Sequence, residues 1–448
     1  MRGLALGGST FGMAAAAALV AACSGPWTSP SASPSLRVTN QTGSSHYQLI
    51  HGFGDPGRLH RNAGGINPDG ALIDVNGTLY GTTSWGGLNC HRVSGFYSNS
   101  CGTVFSISPS GKWRPVYRFR GGSDGSRPNA GLIAVHGTLY GTTVTGGNGC
   151  YSSGCGTVFS VTTAGAEKVL YSFKGGSDGE YPFSPLIFVK GKLYGTTFKG
   201  GKTKCGGESG QGCGIVYSVS LSGTEQILHK FQGSSGDGFA PWAGLTDVNG
   251  ALYGTTLYGG GSGCYVLGCG TVFSITTGGK ETKLHSFQGG SDGGHPLSSL
   301  VSLNGELYGT TVGAEGKSSS ELASGTVFSI TTAGTEKVLY DFGYKSAQGW
   351  SPFGGLVDVN GTLYGTTQFG GACASSSVGC GTIFSITTSG ALTELYSFTG
   401  IPDSADPRSA LLDVNGALYG TSEAGGNTGC MVVVNNTSGC GTVYAFTP

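Results

Sequence analysis

Short runs of alternating apolar and polar positions, separated by Gly, Asn and Ser, follow one another along the chain after residue 46. Typical runs are LIDV at 72–75, TLYGTT at 78–83, GTVFSIS at 102–108 and EKVLYSF at 167–173. A two-residue period in short runs rich in β-branched and aromatic residues is typical of β-strands. No segment shows a convincing helical period, so the pattern predicts an all-β protein.

The four runs recur as a repeat unit. The motif LYGT occurs seven times, with its glycine at Gly81, Gly141, Gly195, Gly254, Gly309, Gly365 and Gly420. The spacings are 60, 54, 59, 55, 56 and 55 residues, a period that fits propeller blades better than helical repeats. Four strands per unit and seven units predict a seven-bladed β-propeller of four-stranded antiparallel blades.

The ends of the repeat region predict how the ring closes. Residues 46–53, HYQLIHGF, have the pattern of a lone fourth strand, and the last unit supplies only three strands before Pro448. We therefore expect the N-terminal strand to complete the last blade. Within a unit, the first two strands meet at a pair such as Asn76-Gly77, a strong hairpin signal because both turn residues need positive φ.

Every fourth strand carries two aromatic columns. One is a phenylalanine: Phe53, Phe119, Phe173, Phe231, Phe287, Phe342 and Phe398. Two residues earlier stands a histidine or a tyrosine: His51, Tyr117, Tyr171, His229, His285, Tyr340 and Tyr396. A position that accepts either residue requires a flat ring with a polar tip, so it indicates packing rather than a metal or acid–base site. We expect no metal and no other cofactor.

The residues before the repeats predict export and a tether. Arg2 precedes an apolar stretch around 11–20, which is too short to span a bilayer and is typical of a secretory signal. It ends in LVAAC at 19–23, which resembles the lipobox of bacterial lipoproteins, with Cys23 as the lipidated residue; an incidental cysteine behind an ordinary signal is the alternative. The predicted domains are a signal at 1–23, a Ser/Pro-rich tether at 24–46 and the propeller at 47–448.

The charge balance excludes one class of partner. The 24 Lys and Arg residues equal the 24 Asp and Glu residues, and charged residues make up only 11% of the chain. A neutral surface does not attract a polyanion, so no nucleic-acid partner is expected. We expect a monomer that meets a membrane only through its lipid anchor.

The combination of GTVF, a Phe-bearing strand, a DG-to-Pro loop and LYGTT resembles the Gloeo/Verruco tandem-repeat family. The resemblance covers about residues 47–448. It implies an exported bacterial protein, either lipid-anchored at the cell envelope or secreted, and it implies no particular reaction. The order of the strands is also similar to that of kelch blades, by analogy only.

Twelve of the 13 cysteines form six local pairs, and the second member of each pair stands immediately before the glycine of GTVF or its equivalent. The pairs are Cys90/Cys101, Cys150/Cys155, Cys205/Cys213, Cys264/Cys269, Cys373/Cys380 and Cys430/Cys440. An even number behind an export signal favours disulfides. Zinc needs four ligands in one place, whereas each unit carries only one pair.

The two faces of the predicted ring differ. Antiparallel order places both tight turns of a blade on one face, and the disulfide loop and the DG-to-Pro loop on the other. Aromatic residues gather in those long loops, and the candidate binding face consists of Trp85, Phe96, Tyr97, Tyr181, Trp242 and Trp350. Any single one of them is more simply a packing residue. As a set on one face, they predict a recognition surface for an uncharged polar ligand, either a glycan or a protein.

Two features of the loops have alternative interpretations. The aspartates Asp124, Asp178, Asp237 and Asp292 would suit calcium, but one carboxylate per loop is more typical of a turn in which the side chain bonds local backbone. The fifth unit has Ser324 in place of the second cysteine and a charged loop with Glu315, Lys317 and Glu321. Sequence drift explains this more simply than a specialised sector.

Three functions are compatible with the sequence. The leading hypothesis is a non-enzymatic binding or adhesion module on an exported propeller. An alternative is a hydrolase or lyase that acts on a polysaccharide in the central funnel, although we find no nucleophile elbow, zinc motif or paired carboxylates. A third is a structural envelope protein that docks partners on its ring.

Overall fold

The structure is a computed structural model. It describes residues 47–54, 64–87, 90, 100–108, 111–150, 153–201, 204–205, 208–209, 212–233, 236–261, 264, 267–313, 324–344, 346–373, 376, 378–427 and 438–448. These residues form seven four-stranded antiparallel sheets, the blades of a propeller.

The first strand of each blade has three residues: Ile73–Val75, Ile133–Val135, Ile187–Val189, Thr246–Val248, Val301–Leu303, Val357–Val359 and Leu412–Val414. The second strands are Thr78–Thr83, Thr138–Thr143, Lys192–Thr197, Ala251–Thr256, Glu306–Thr311, Thr362–Thr367 and Ala417–Ser422. First strands of neighbouring blades contact one another from blade one through blade seven. They therefore lie innermost.

The third strands are Thr103–Ile107, Thr157–Thr162, Ile215–Ser220, Thr271–Thr276, Thr326–Thr331, Thr382–Thr387 and Thr442–Phe446. The fourth, outermost strands are Trp113–Arg118, Glu167–Ser172, Glu225–Lys230, Glu281–Ser286, Glu336–Asp341, Leu392–Ser397 and, for blade seven, Tyr47–Gly52. Short two-residue strands are Gly179–Glu180, Lys199–Gly200, Lys204–Cys205, Glu208–Ser209, Gly238–Phe239, Tyr258–Gly259, Ser404–Ala405 and Ala424–Gly425. The described residues contain two 3-10 turns, Gly122–Asp124 and Gly290–Asp292.

No helix in the described part of the chain is long and apolar enough to cross a bilayer.

The ring closes as the sequence predicts. Tyr47–Gly52 pairs antiparallel with Thr442–Phe446, and Tyr47 stands opposite Phe446. Phe53 then packs edge-to-face against Phe105 of blade one, with ring centroids 5.1 Å apart. The N-terminal strand therefore joins both the sheet of blade seven and the core of blade one, which confirms a seven-bladed propeller closed by that strand.

The phenylalanine column forms the core between blades. Phe119 of blade one, which is fully buried, lies edge-to-face on Phe159 of blade two at 5.0 Å, and the same contact recurs between the other blades. The glycine of LYGT makes room for it: a Cβ on Gly81 would lie 2.6 Å from the ring of Phe105. Edge-to-face aromatic pairs add about 1 kcal/mol each beyond their buried area.

The two threonines of LYGTT have separate roles that the sequence did not predict. In five blades the first threonine links its blade to the next one, because its Oγ1 donates a hydrogen bond to a backbone carbonyl there. These bonds run from Thr82 to Ala130, Thr142 to Ser184, Thr196 to Ala243, Thr310 to Gly354 and Thr421 to Gly70. The second bonds the threonine of the third strand within its blade, as Thr83 bonds Thr103 at 2.9 Å. In these five blades the buried hydroxyl of the first threonine is thereby satisfied, whereas the equivalent hydroxyls of Thr255 and Thr366 form no hydrogen bond with the described residues.

The two faces differ as expected from the strand order. On the face that we call the plain face, Asn76 and Gly77 turn the chain with φ of 54° and 77°. On the opposite face, the loop face, the link into each blade is hydrogen-bonded to the segment that follows its second strand, as between Gly179–Glu180 and Lys199–Gly200. Both long loops of a blade therefore hold each other on the loop face.

Candidate functional site

Five disulfides close loops on the loop face, and all five pairs are among the six predicted. They join Cys90 to Cys101, Cys150 to Cys155, Cys205 to Cys213, Cys264 to Cys269 and Cys373 to Cys380, with Cα atoms 5.0–5.5 Å apart. Cys440 is also disulfide-bonded, whereas Cys430 and the lipidation candidate Cys23 lie outside the described residues. Disulfides persist in oxidising compartments, so the protein is extracytoplasmic.

The tyrosines of the His/Tyr column anchor the link to the next blade. The Tyr117 hydroxyl donates to Asp124 at 2.7 Å, and the Tyr171 hydroxyl donates to Asp178 at 2.8 Å. Asp178 also accepts hydrogen bonds from the backbone N–H groups of Lys174 and Gly179. The repeated aspartate thus organises a turn, which is the interpretation that the sequence favoured over calcium.

The histidines of the same column have neighbours that the sequence analysis missed. His229 Nε2 lies 3.6 Å from Asp237, and Glu281 of the next blade also reaches this pair. The sequence pattern assigns this column to packing. It does not reveal the glutamate, because Glu281 begins the fourth strand of the following unit.

Seven side chains, each directly after a proline and four residues before an innermost strand, surround the loop-face end of these strands. We call them the mouth: Asp69, Asn129, Phe183, Trp242, Leu297, Phe353 and Arg408. All seven are partly exposed. Three pairs of neighbouring members contact each other: Asn129 donates to Asp69 at 2.6 Å, Phe183 stacks on Trp242, and Arg408 lies over Phe353.

Blades seven, one and two supply a polar sector of the mouth. Arg408 bonds Asp406 through Nε at 3.0 Å and Nη2 at 3.2 Å, and its Nη1 lies 2.9 Å from Glu423. Asn67 donates to Glu423 at 3.1 Å. Ser84 and Asn129 both donate to Asp69. One guanidinium therefore holds two carboxylates from blade seven beside the polar side chains of blades one and two.

Burial changes the protonation of this sector. Burial, followed by the charge of Asp69, raises the pKa of Glu423 to about 8. Burial also raises the pKa of Asp69. At neutral pH the Glu423 carboxyl can therefore hold a proton, and a protonated carboxyl can donate a hydrogen bond.

Three polar atoms of the sector have unused hydrogen-bonding capacity. The Oδ1 atoms of Asn67 and Asp69 and the Nε atom of Arg127 are enclosed and form no hydrogen bond with the described residues. Because enclosed polar groups are normally paired, these atoms mark a place for water or a ligand.

Blades three and four supply an aromatic sector. Phe183 and Trp242 stack with ring centroids 4.0 Å apart and planes 11° from parallel. Phe198 meets the edge of Trp242 at 5.6 Å. All three side chains are half-buried, so they form a supported aromatic surface rather than a closed core.

Three of the other predicted binding-face residues pack against neighbouring side chains. Trp85 lies under the guanidinium of Arg127 at 4.7 Å, Tyr181 lies under Lys199 at 5.6 Å, and Trp350 packs against Phe369 at 4.4 Å. Phe96 and Tyr97 lie outside the described residues. Trp242 is thus the predicted aromatic that belongs to the mouth itself.

Sequence reasoning missed the post-proline column because its seven members share no chemistry. The signal that would reveal it is positional. The residue before each proline has positive φ, at 55–61°: Asn67, Arg127, Tyr181, Ala240, His295, Ser351 and Asp406. The residue directly after each of these prolines is a member of the mouth.

Residues 41–208 and 203–434 match the model of the Gloeobacter/Verrucomicrobia repeat. The chain belongs to this family. No curated protein matches it.

Solved structures with a similar arrangement include three of different kinds. YjhT shares 13% identity over 73% of this chain and 97% of its own, with a TM-score of 0.42. Puromycin hydrolase shares 9% identity over 83% of this chain and 52% of its own, with a TM-score of 0.47. A luciferin-regenerating enzyme shares 14% identity over 71% and 90%, with a TM-score of 0.39. At these low values nothing about the activity of this chain follows from the likeness.

Proposed function

We propose that this chain is an exported, lipid-anchored binding module that binds a glycan at the mouth. One observation carries the proposal: the seven post-proline residues combine a stacked aromatic pair, Phe183 and Trp242, with the polar side chains of Asp69, Asn129 and Arg408. A pocket with an aromatic wall and a few convergent polar groups is the usual design of a site for small ligands.

The two sectors suit the two surfaces of a sugar ring. The C–H faces of a sugar are apolar and stack on aromatic rings, whereas its hydroxyl groups need both donors and acceptors. The polar sector offers acceptors at Asp69 and Asn67 and a donor at Arg127. The opposite charges of Asp406 and Arg408 offset each other and favour a neutral ligand over a polyanion.

The lipid anchor is the part of the proposal that rests on the sequence, namely LVAAC at 19–23. Cys23→Ser should move the protein from the membrane fraction to the soluble fraction of its host. Mass spectrometry of the mature N-terminus measures the lipid directly. An N-terminus that carries no lipid would exclude the lipid anchor, but it would not affect the proposal that the mouth binds a glycan.

A glycan array probed with the exported protein, followed by calorimetry on the best glycan, tests binding. Trp242→Ala should weaken binding about tenfold or more, because it removes the stacking surface. Asp69→Asn should also weaken it. Lys190→Ala, on the plain face, is the matched control and should bind normally. If Lys190→Ala weakened binding and Trp242→Ala did not, the binding site would lie on the plain face, which contradicts the proposal. Binding of a protein with no binding of any glycan would identify a protein as the ligand instead.

A hydrolase that acts on a polysaccharide is a second candidate, and one observation favours it. Burial and the nearby charge of Asp69 raise the pKa of Glu423 to about 8, which suits a general acid at neutral pH. Turnover of the array ligand that is abolished by Glu423→Gln, with binding retained, would establish an enzyme. Binding without turnover supports the module.

A further inference from the structure

The interfaces on either side of blade four each assemble a nitrogen and two carboxylates. His229 comes from the fourth strand of blade three, Asp237 from the link into blade four, and Glu281 from the fourth strand of blade four. One ligand atom of each lies within 4.8 Å of the others. His285, Asp292 and Glu336 repeat the arrangement between blades four and five.

We propose that each of these two interfaces binds one divalent transition-metal ion, such as Zn²⁺, which joins the outer strands of neighbouring blades. The sites are distinct from the mouth, and the inference does not depend on the proposed function.

The geometry fits an ion better than it fits hydrogen bonds. The Nε2 atoms of His229 and His285 lie 3.6 and 3.5 Å from their aspartates, beyond the usual N–H···O range of about 2.7–3.2 Å. Ligand atoms that are about 2.0–2.1 Å from a tetrahedral zinc ion are about 3.3 Å apart from one another. Small side-chain movements would therefore bring each set onto an ion.

The Nε2 atoms of the two imidazoles also have no hydrogen-bond partner among the described residues that would compete with a metal ion. Nε2 of His229 and Nε2 of His285 are enclosed and form no hydrogen bond with the described residues. The side chains of both are still about one-fifth exposed, at 19% and 20%. With this partial exposure, a small movement of each ring would open Nε2 to an ion, and water could then complete its coordination.

The same fold supplies matched interfaces that should not bind. Between blades one and two, and between blades two and three, tyrosine replaces histidine beside Asp124 and Glu167 and beside Asp178 and Glu225. The tyrosine hydroxyls donate to the aspartates at 2.7 and 2.8 Å. Burial raises the pKa of Tyr171 far above neutrality, so the phenol keeps its proton and offers no anionic ligand. The identity of one residue separates the two kinds of interface.

One nitrogen and two carboxylate oxygens form a ligand set for zinc and neighbouring divalent metals rather than for calcium, which prefers six to eight oxygens. The ion would link the outer strands of blades three and four, or of blades four and five. Blade five has Ser324 where the other blades have the second cysteine, so a metal at its interface would stabilise a blade that lacks the disulfide.

The test is a zinc titration of the untagged, oxidised full-length protein after removal of metals by a chelator, with competition against a chromophoric chelator. We expect two equivalents for the wild type, one for His229→Tyr and none for His229→Tyr/His285→Tyr. Tyrosine is already accepted at this position in four blades, so these variants should fold. Tyr171→His should create a third equivalent.

Cobalt absorption spectra add a second measurement. Co²⁺ in the wild type should give d–d bands that the double variant lacks. A double variant that still binds two equivalents, or a wild type that binds none, would overturn the proposal. Folding of every variant is checked by the cooperative thermal transition in the presence of chelator, where all should resemble the wild type.

Discussion

The plain face and the loop face use the same backbone device with different side chains. On the plain face, each blade turns at a residue with φ of 47–55° followed by glycine: Asn76, His136, Lys190, Asn249, Asn304, Asn360 and Asn415. On the loop face, the residue before each proline has φ of 55–61°. Five of the seven plain-face residues are asparagine, the residue that tolerates this conformation best after glycine. The loop-face residues include Arg127, Tyr181 and Ala240.

This difference indicates what each face requires. Where the residue is one that tolerates positive φ, such as asparagine, the position is selected for the conformation of the turn. Where bulky or charged side chains occupy the same strained conformation, the position serves another purpose, because the strain has to be offset elsewhere. We infer that plain-face changes should alter stability alone and that changes near the mouth should alter binding as well.

The largest effect is expected at Arg408. Arg408→Leu leaves the enclosed carboxylate of Asp406 without its cation, and the loss of one partner from an enclosed ion pair costs about 3 kcal/mol. Denaturant unfolding measures the loss, and the glycan titration should fail in parallel. Arg408→Lys is the matched variant and should lose less, since it keeps the charge but not the two-pronged hydrogen bond. Unchanged stability of Arg408→Leu would show that the polar sector is not an ion-pair cluster.

The next effect is expected in the loop-face disulfides. Cys150→Ser/Cys155→Ser opens a loop with a sequence separation of 5 residues and should cost about 2 kcal/mol in the chain-entropy model. Cys264→Ser/Cys269→Ser opens a loop of the same separation and should cost the same. Non-reducing denaturant unfolding compares the two. A loss in only one of them would mean that the loops differ in more than length.

A smaller effect separates the faces directly. Lys190→Asn, on the plain face, replaces a residue that has φ of 47° with one suited to it, and should stabilise the protein by about 0.5–1 kcal/mol. Asn249→Lys makes the reverse change and should destabilise it equally. Thermal unfolding gives both shifts, while ligand binding should stay constant. A change in affinity from either variant would contradict a purely structural plain face.

The smallest effect depends on pH. Burial, followed by the charge of Asp178, raises the pKa of Glu225 from 4.5 to about 7. Because the unfolded state ionises first as pH rises, the wild type loses stability between about pH 4.5 and 7. Glu225→Gln avoids this loss and should gain about 0.5 kcal/mol at pH 8, a value reduced by solvent screening. The gain should vanish near pH 4, and a gain that is equal at both pH values would refute this cause.

Much of the architecture could be predicted from within one repeat. The Asn76-Gly77 turn, the local cysteine pairs and the N-terminal strand that completes blade seven depend on neighbouring residues or on counting strands. The roles of Thr82, Gly81 and the glutamates could not be predicted in this way, because their partners belong to another strand or another blade.

The sequence by itself determined the number of blades, the strand order, the closure of the ring and the separation of turns from long loops, since each is encoded at a fixed spacing in every unit. Only the tertiary structure decided which varied positions meet. Asn129 reaches Asp69 across 60 residues of chain, and Glu281 reaches His229 from the next blade. Packing of successive units side by side brings residues about one period apart into contact. The sequence pattern within one unit does not show which side chains meet in this way.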